Sequence, residues 1–576
     1  MKNKAIAAVL STLADYMELN GENPFKVNAY RKAARTVESS RVALADHRDQ
    51  LEQLSGIGKG SAGVIEEIMA TGSTTLLTEL KEKLPSGLPD MLVIPGLGPK
   101  SIYTLYQKLE VTSIAELKQA AEEKRIQALS GFGPKKEQKI LEGIAQFKNR
   151  PNRRLLNEAM TVAEAMRAEL ESNQQITAVQ LAGSLRRSKE TIKDIDFVTA
   201  TTSPQAIADW ITTLPLVVEV VNHGDTKVSV VVSVNGIEMG VDIRLVRPEQ
   251  FASALHHFTG SKEHNVRIRQ RAKSMGYKVS EYGIDGEDQA EMKTFGSEEA
   301  FFKMLDLPYI PPELREDRGE IEAAEKKKLP HLIEQAEIRG DIHMHTVYSD
   351  GNDSVMDMAR AALAKGYEYI AITDHSRSLR VASGLSIDEL KEQWEEIDRV
   401  NEALEGITVL KGTEMDILPD GSLDFPDEIL KELDVVIASI HSGFKQDEET
   451  MTKRIIEAIQ NPYVHIFAHP TGRLVLKRDP YHVNVEKLFE AAQSTGTILE
   501  LNANPRRLDL NDEALKRAKE EYGLKFTINT DAHITDGLAY MRYGIATARR
   551  GWLQKEDVIN TYTLTQLRKV LKQKQK

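Results

Sequence analysis

GSLRR at residues 183–187 and DIDF at residues 194–197 are the stretches that decide the fold in the middle of this chain. Charged and apolar residues alternate in DIDF as they do in a half-buried strand, so Asp194 and Asp196 point to one face. Asp242 lies in VDIRL at residues 241–245, which alternates in the same way. Asp-x-Asp alone is also typical of a solvated strand end. The three carboxylates together repel each other, so they predict a site for two divalent ions that serve phosphoryl transfer.

The residues around this motif predict a mixed α/β domain. Residues 153–171 have helical character, and strand-like runs follow at 177–181, 195–200, 217–221, 228–234 and 240–246. Apolar residues recur with strand periodicity in these runs, which indicates a sheet. Residues 247–312 predict a smaller mixed unit, and the charged stretch after them predicts a linker or an exposed helix.

Length and composition exclude several classes of protein. A chain of 576 residues with 41% hydrophobic and 28% charged residues is neither a single small binding module nor globally disordered. The absence of cysteine excludes disulfides and thiolate metal sites, and it predicts a cytoplasmic protein. No apolar run of about 18 residues occurs, so we expect no membrane partner. The net charge is −12, yet residues 1–150 have 21 Lys and Arg against 18 Asp and Glu, which gives +3.

Three segments of this mildly basic quarter share one pattern: LSGIGK at 54–59, IPGLGPK at 94–100 and LSGFGPKK at 129–136. Glycine permits a tight turn, and the N–H groups at the start of the next helix attract phosphate. A single copy is equally consistent with a cap between packed helices, but three copies favour a grip on the DNA backbone. The predicted DNA-binding residues are Gly56, Gly58, Lys59, Gly96, Gly98, Lys100, Gly131, Gly133 and Lys135.

The last 240 residues alternate short apolar strands with helices, which predicts a parallel β/α architecture and plausibly a barrel. Almost every strand-like run is followed by a residue that can bind a metal. A lone histidine at a strand end is usually structural, but nine candidates in one domain favour a metal site whose donors suit Mn²⁺, Zn²⁺ or Fe²⁺. The nine are His343, His345, Asp350, His375, Glu414, His441, His469, Asp531 and His533.

Residues 1–318 resemble the family X DNA polymerases, the family of DNA polymerase beta. The match includes the segment from GSLRR to Asp196, Asp242 with its strand, and FTGS at residues 258–261. The resemblance implies that Asp194, Asp196 and Asp242 are catalytic and bind Mg²⁺ or Mn²⁺. It implies a nucleotide site made of Gly183, Ser184, Arg187, Phe258, Gly260, Asn265 and Arg269. The family often has tyrosine where this chain has His257, which leaves its discrimination against ribonucleotides open.

The C-terminal part, residues 336–576, resembles the PHP (polymerase and histidinol phosphatase) domains. All nine ligand positions of that family's trinuclear site are filled here. The resemblance implies three bound ions and an active phosphoesterase, because PHP domains that have become structural typically lose ligands.

Together these features predict a multidomain α/β fold. We expect a helical N-terminal region with helix-hairpin-helix motifs, a nucleotidyltransferase-type mixed-sheet palm, a small α/β nucleotide-closing subdomain and a distorted β/α barrel of the PHP type. The predicted domains are 1–80 (helical, with the first helix-hairpin-helix), 81–150 (helical, with further motifs), 151–246 (palm), 247–317 (nucleotide-closing), 318–335 (linker) and 336–576 (PHP).

The function we expect is gap-filling DNA polymerase activity in DNA repair, including base excision repair. It is joined to a metal-dependent 3′-5′ exonuclease that processes 3′ ends or abasic sites. The expected partners are gapped or nicked duplex DNA and deoxynucleoside triphosphates, and we expect a monomer. Two alternatives are a DNA-end-processing hydrolase with a weak polymerase half, and a small-molecule phosphatase of the histidinol-phosphate type. The glycine turns disfavour the last, since such a phosphatase needs no grip on duplex DNA.

Overall fold

The computed structural model describes residues 3–38, 51, 54, 56–85, 87–94, 97–149, 153–286 and 292–574. The chain divides into two compact units, Met1–Asn152 and Arg153–Lys576. None of the helices in these described segments is long and apolar enough to cross a membrane.

The first unit is helical and has two hydrophobic cores. Residues between Ile6 and Leu80 form one core, and residues between Leu84 and Ile144, joined by Leu19, form the other. The longer helices bury apolar residues on one face, as amphipathic helices do. The helices are α1 (Asn3–Leu19), α2 (Pro24–Glu38), α3 (Lys59–Thr71), α4 (Thr75–Lys83), α5 (Gly87–Asp90), α6 (Pro99–Leu109), α7 (Ile114–Glu122) and α8 (Pro134–Asn149).

The second unit begins with a mixed five-stranded sheet of order β2-β4-β7-β6-β5, followed by a smaller helical part with a two-stranded sheet, β8-β9. Strands β4 and β7 run parallel, and their other neighbours run antiparallel. The elements are β1 (Arg154–Leu155), α9 (Leu156–Ser172), β2 (Ile176–Leu181), α10 (Gly183–Arg186), β3 (Thr191–Ile192), β4 (Asp194–Thr201), α11 (Pro204–Ile211), β5 (Val217–His223), β6 (Lys227–Val234), β7 (Ile237–Val246), α12 (Phe251–Thr259), α13 (Lys262–Ser274), β8 (Tyr277–Val279), β9 (Ile284–Gly286), α14 (Glu298–Met304) and α15 (Glu320–Glu325).

The segment 318–335, which the sequence predicts as a linker, is partly buried. Its helix α15 places Glu320 and Ile321 in the interior, and Glu320 accepts a hydrogen bond from His264 Nδ1 at 2.7 Å. The many charged residues of this segment predicted exposure to solvent. Glu320 is buried instead because His264 on α13 donates a hydrogen bond to its carboxylate, and the segment therefore packs against α13.

The rest of the unit is a seven-stranded parallel sheet in sequential order from β10 to β16. A bridge between Met344 and Ala532 joins the residues beyond the first and last strands, so the sheet is nearly closed into a barrel. The elements are β10 (Gly340–Asp341), α16 (Val355–Ala364), β11 (Tyr369–Ile372), α17 (Ile387–Ala403), β12 (Thr408–Asp416), α18 (Asp427–Leu430), β13 (Val435–Ser439), α19 (Glu448–Ile459), β14 (Ile466–Phe467), α20 (Val485–Thr495), β15 (Ile498–Asn502), α21 (Asp512–Tyr522), β16 (Phe526–Asn529), α22 (Met541–Arg550) and α23 (Leu564–Lys574).

Candidate metal centres and DNA-binding turns

The three aspartates of the mixed sheet lie on neighbouring parallel strands. Asp196 on β4 is directly opposite Asp242 on β7, and Asp194 is opposite Gly240. Ser229 donates a hydrogen bond to Asp242 at 2.6 Å, and Lys227 Nζ lies 2.7 Å from the same carboxylate. The sheet therefore places the three side chains on one face, as the alternation in the sequence predicts.

This arrangement costs electrostatic energy that a cation relieves. Burial raises the pKa of Asp196 to about 6, and the nearby charges of Asp242 and Asp194 act in the same direction. Among the described residues, groups of three ligand atoms within 4.8 Å of one another occur in the barrel and not among these aspartates. Carboxylate oxygens are the ligands that a divalent ion such as Mg²⁺ prefers, so these aspartates fit such an ion.

Glycine is required at residue 183 for two reasons. Its φ of +59° lies in the left-handed region, and a Cβ there would lie 2.0 Å from Asp196 Oδ2. The turn that follows β2 can therefore pass directly over the aspartate only because residue 183 lacks a side chain.

Gly183→Ala is expected to lower the rate of nucleotide addition about a hundredfold, since a displacement of about 1 Å at a reacting site has effects of this size. Hydrolysis by the barrel is expected to stay at the wild-type rate, because its ligands are elsewhere in the chain. Single-turnover incorporation into a gapped duplex measures the change. Gly236→Ala, at a turn with φ +78° and nothing within 4 Å of the added Cβ, is the matched control. Equal losses in the two variants would contradict the assignment.

Acidification is expected to weaken Mn²⁺ binding at the aspartates. Because the pKa of Asp196 is raised to about 6, the free protein holds a proton there below that pH, and the proton must leave before the ion binds. Below pH 6 the apparent affinity therefore falls up to about tenfold per pH unit, and above pH 7 it is level. Calorimetric titration of a variant that lacks the barrel site measures it. An affinity independent of pH from 5 to 7 would contradict the prediction.

Several residues of the predicted nucleotide site are held in place by contacts with one another and with α12. Arg187 donates to the Thr259 carbonyl at 2.7 Å and to Glu316 at 3.0 Å, which ties the glycine turn to α12. Asn265 donates to the His257 carbonyl at 2.7 Å. The guanidinium of Arg244 lies over the Phe258 ring, 4.7 Å from its centroid. Of the other predicted members, Ser184 is half-buried, Arg269 is exposed, and a Cβ on Gly260 would lie 2.6 Å from Asn265 Oδ1.

The nine predicted ligands of the barrel converge at the carboxyl ends of its strands. Glu414 lies near the end of β12, and the other eight follow the ends of β10, β11, β13, β14 and β16. The described groups of ligand atoms within 4.8 Å of one another are His345-Asp350-His375-His533, His343-His345-Glu414 and His375-Glu414-His441. Parallel strands bring their carboxyl ends to one face, so residues far apart in sequence meet there.

Glu414 is the centre of this cluster. Its carboxylate lies within 3.4 Å of a nitrogen on each of five imidazoles, with 3.0 Å to His375 and 2.9 Å to His469. Asp531 Oδ1 lies 3.2 Å from His345 Nε2, and Asp350 Oδ1 lies 3.2 Å from His533 Nε2. Glu414 and Asp531 are each shared among several imidazoles, so these two carboxylates are suited to bridging neighbouring ions.

Among the described residues, several ring nitrogens of the cluster are buried and make no well-aligned hydrogen bond, among them His343 Nε2 and both nitrogens of His345, although carboxylate oxygens lie nearby. Such atoms are costly in a protein interior unless a ligand completes them. His469 and Asp531 have φ of +30° and +52°, a left-handed strain that non-glycine residues adopt mainly at functional sites. The cluster therefore fits bound divalent metals.

Protonation in the cluster follows the distribution of charge. Burial lowers the pKa of His441, but the charge of Glu414 and the hydrogen bond with Asp416 outweigh burial and raise the pKa to about 9. Burial and the neighbouring His533 and His375 lower the pKa of His345 to about 3. Bound metal ions would supply the positive charge that protons supply in the free protein.

Sequence reasoning missed the residues that orient the ligands. Glu500 Oε1 lies 2.7 Å from His343 Nδ1, and Asp416 Oδ1 lies 2.6 Å from His441 Nδ1. Such carboxylates fix the ring orientation and the tautomer of a ligating histidine. Spacing is the signal that could have found Asp416, because it follows Glu414 by two residues and shares its face of β12.

The glycine turns of the first unit share one backbone hydrogen bond among their described residues. Ile57, Leu97 and Phe132 are buried, and their N–H groups donate to the carbonyls of residues 54, 94 and 129 at 3.0, 3.1 and 3.0 Å. A helix begins directly after each second glycine.

The second glycine of each turn has open space where a side chain would be. A Cβ at Gly58, Gly98 or Gly133 would meet nothing within 4 Å. Gly56 and Gly131 have positive φ, of 111° and 84°, while Gly96 lies outside the described residues. The predicted lysines are all exposed: Lys59, Lys100 and Lys135. The turns can therefore approach a phosphate closely.

Comparison with known proteins adds to this geometry. A family model described as the DNA polymerase beta thumb matches residues 254–316, and the PHP domain model matches residues 341–504. Models described as a helix-hairpin-helix domain and as a SAM-like helix-hairpin-helix tandem match residues 1–74 and 88–146.

Individual proteins are similar over the whole chain or over part of it. The DNA polymerase/3′-5′ exonuclease PolX of Bacillus subtilis is 46% identical over 572 residues, which are 99% of this chain and 100% of that protein. A probable phosphatase of Thermoanaerobacter pseudethanolicus is 30% identical over 246 residues, which are 41% of this chain and 95% of that protein.

Proposed function

This chain belongs to the PolX family of DNA polymerases and 3′-5′ exonucleases, and from that premise we propose that it fills short gaps in DNA and hydrolyses 3′ ends. The observation that carries the proposal is the presence of two cation-binding clusters of different chemistry, one of aspartates and one rich in imidazoles. Gap filling in repair, including base excision repair, is the role that joins the two activities.

We assign one metal centre to the polymerase site and another to the barrel. In the polymerase site, Asp194, Asp196 and Asp242 would hold Mg²⁺ or Mn²⁺. In the barrel, the nine ligands would hold three ions, which would be Mn²⁺, Zn²⁺ or Fe²⁺. When bound, these ions stabilise negative charge on phosphate oxygens and make an attacking oxygen more nucleophilic.

The chain's own residues bind and orient the nucleotide. Arg187 is pre-oriented by two hydrogen bonds and is suited to grip the triphosphate, with Ser184 beside it at the glycine turn. Phe258 belongs to the segment that would close over the nucleotide, and Asn265 and Arg269 would contact the incoming nucleotide or the template. Within the barrel, Glu500 and Asp416 hold the imidazoles of His343 and His441 in place.

We propose the domain limits given by the sequence: helical DNA-binding domains at 1–80 and 81–150, the palm at 151–246, the nucleotide-closing subdomain at 247–317 and the PHP domain at 336–576. The two separate cores of the helical unit support the division near residue 80. We propose further that the protein is a cytoplasmic monomer whose partners are gapped or nicked DNA and deoxynucleoside triphosphates.

The turn lysines are expected to bind phosphates without reading sequence. Replacing Lys59, Lys100 and Lys135 together by alanine should lower the slope of log affinity against log salt by about 3. Fluorescence anisotropy with a gapped duplex at several salt concentrations measures the slope. The control replaces Lys81, Lys83 and Lys108, which are exposed in the same unit with the same total charge. Equal changes in the two triple variants would show a general charge effect and contradict the assignment.

The experiment that tests the proposed function uses a gapped duplex labelled at the 5′ end of the strand to be extended. It is incubated with Mn²⁺, with and without nucleotides. Longer products with nucleotides and shorter products without them support both activities. The similarity to probable phosphatases favours a second candidate, a phosphatase acting on small phosphomonoesters. A chain that leaves the strand unchanged but hydrolyses p-nitrophenyl phosphate would favour that candidate.

A further inference from the structure

A residue of the barrel, Arg550, donates a hydrogen bond to the backbone of the palm's glycine turn (residues 183–187). Arg550, the last residue of α22, is 4% exposed. Its Nη1 donates to the carbonyl oxygen of Arg187 at 2.7 Å and to Glu316 Oε1 at 2.9 Å. Its Nη2 lies 2.8 Å from Asp512. Arg550 thus connects the barrel to the palm beside Arg187, the residue proposed to bind the triphosphate.

Arg187 depends on the same carboxylate oxygen as Arg550. Its Nε donates to Glu316 Oε1 at 3.0 Å, and its Nη1 donates to the Thr259 carbonyl. These bonds use two of its three nitrogens, and the described residues offer Nη2 no hydrogen bond. Nη2 is therefore the nitrogen that remains for a phosphate oxygen.

The charge of Glu316 competes with a triphosphate for Arg187. Burial raises the pKa of Glu316, but the charges of Arg187 and Arg550 outweigh burial and lower it, so this buried carboxylate is ionised. With Arg550 present, two guanidinium groups and the more distant ammonium of Lys189, at 3.7 Å, share its negative charge. Without Arg550, Glu316 would hold Arg187 more strongly, and the turn would lose the donor to the Arg187 carbonyl.

We propose that Arg550 is a positioning residue for the incoming nucleotide, because it holds Glu316 and the Arg187 backbone so that Arg187 can bind the triphosphate. The polymerase site is then incomplete without the barrel. Leu508 and Tyr543 of the barrel pack in the hydrophobic core of the palm, so the palm and the barrel are in contact in the protein without a bound nucleotide. This inference rests on the proposed function and extends it to a residue outside the polymerase domains.

The test measures KM and kcat for one nucleotide with the full chain and a one-nucleotide gapped duplex. Arg550→Met is expected to raise KM about tenfold and to change kcat less than threefold, the pattern for a lost binding contribution. The inhibition constant of inorganic tripolyphosphate, which probes the triphosphate grip alone, should rise in parallel. Hydrolysis of a labelled 3′ end should stay within twofold of wild type.

Arg542→Met is the matched control. Arg542 lies on the same helix α22 and also pairs with the palm, at 3.0 Å from Glu164 on α9, but it does not touch the glycine turn. It should leave KM within twofold. If both variants raise KM equally, or if Arg550→Met leaves KM unchanged while the wild type extends, the inference is overturned and the proposed function stands. If the wild type does not extend, both fall.

Arg550→Lys keeps the inference testable if Arg550→Met fails to fold. A single ammonium group keeps the charge beside Glu316 but lacks the planar fork that reaches two carboxylates and a carbonyl together. We expect it to raise KM about threefold with an unfolding midpoint near that of the wild type. A KM equal to that of the wild type in this folded variant would overturn the inference.

Discussion

Asp196→Ala is expected to lower the rate of nucleotide addition at least about a thousandfold, equivalent to about 4 kcal/mol of transition-state stabilisation. Asp196 lies opposite Asp242 on the neighbouring parallel strand, and we propose that it binds both ions, so its loss should remove a shared carboxylate. Rapid-quench incorporation of one nucleotide into a gapped duplex measures the rate. Hydrolysis of a labelled 3′ end by the same variant should be unchanged.

Asp209→Ala is the control for this variant, because Asp209 is exposed on α11 of the same domain and pairs with His223 away from the turn. It should extend at the wild-type rate. Normal extension by Asp196→Ala, or an equal loss of hydrolysis in that variant, would show that the aspartates do not form a separate polymerase centre.

Glu414→Gln is expected to lower 3′-end hydrolysis at least about a thousandfold while gap filling continues. The neutral amide keeps the shape of the side chain but removes the charge that five imidazoles face. Bound metal, measured by elemental analysis of the purified protein, should fall in the same variant. His343→Ala, which removes one ligand of the same cluster, should have a similar effect.

Glu428→Gln makes the same chemical change at an exposed position of α18 and should leave both activities and the metal content as they are. A Glu414→Gln protein that hydrolyses 3′ ends normally would contradict the barrel assignment. So would a protein that keeps its full metal content but has lost gap filling.

The positions of the ligands could be predicted from sequence because strand periodicity and strand ends fix them. Alternation put Asp194 and Asp196 on one face, and the parallel pairing of β4 with β7 brought Asp242 opposite Asp196. In the barrel, eight of the ligands follow short apolar runs, and parallel strands bring their ends together. The strand-like runs of the palm coincide with β2, β4, β5, β6 and β7 to within a few residues.

The interactions that support these sites could not be predicted, because they join residues whose proximity only the tertiary fold decides. The sequence predicts Glu320 as part of a charged linker, whereas the structure buries it in a hydrogen bond with His264. Arg187 was predicted to meet phosphate, but nothing in the sequence shows that Glu316 and Arg550 share its surroundings. Glu500 reaches His343 across 157 residues of sequence, with no local spacing to indicate it.

The central claim, two independent metal centres in one chain, is tested most directly by a single gel. Wild type, Asp196→Ala and Glu414→Gln are each incubated with Mn²⁺ and the 5′-labelled gapped duplex, with and without nucleotides. We predict that the wild type lengthens and shortens the labelled strand, that Asp196→Ala only shortens it, and that Glu414→Gln only lengthens it. Loss of both product classes in either variant would contradict the claim.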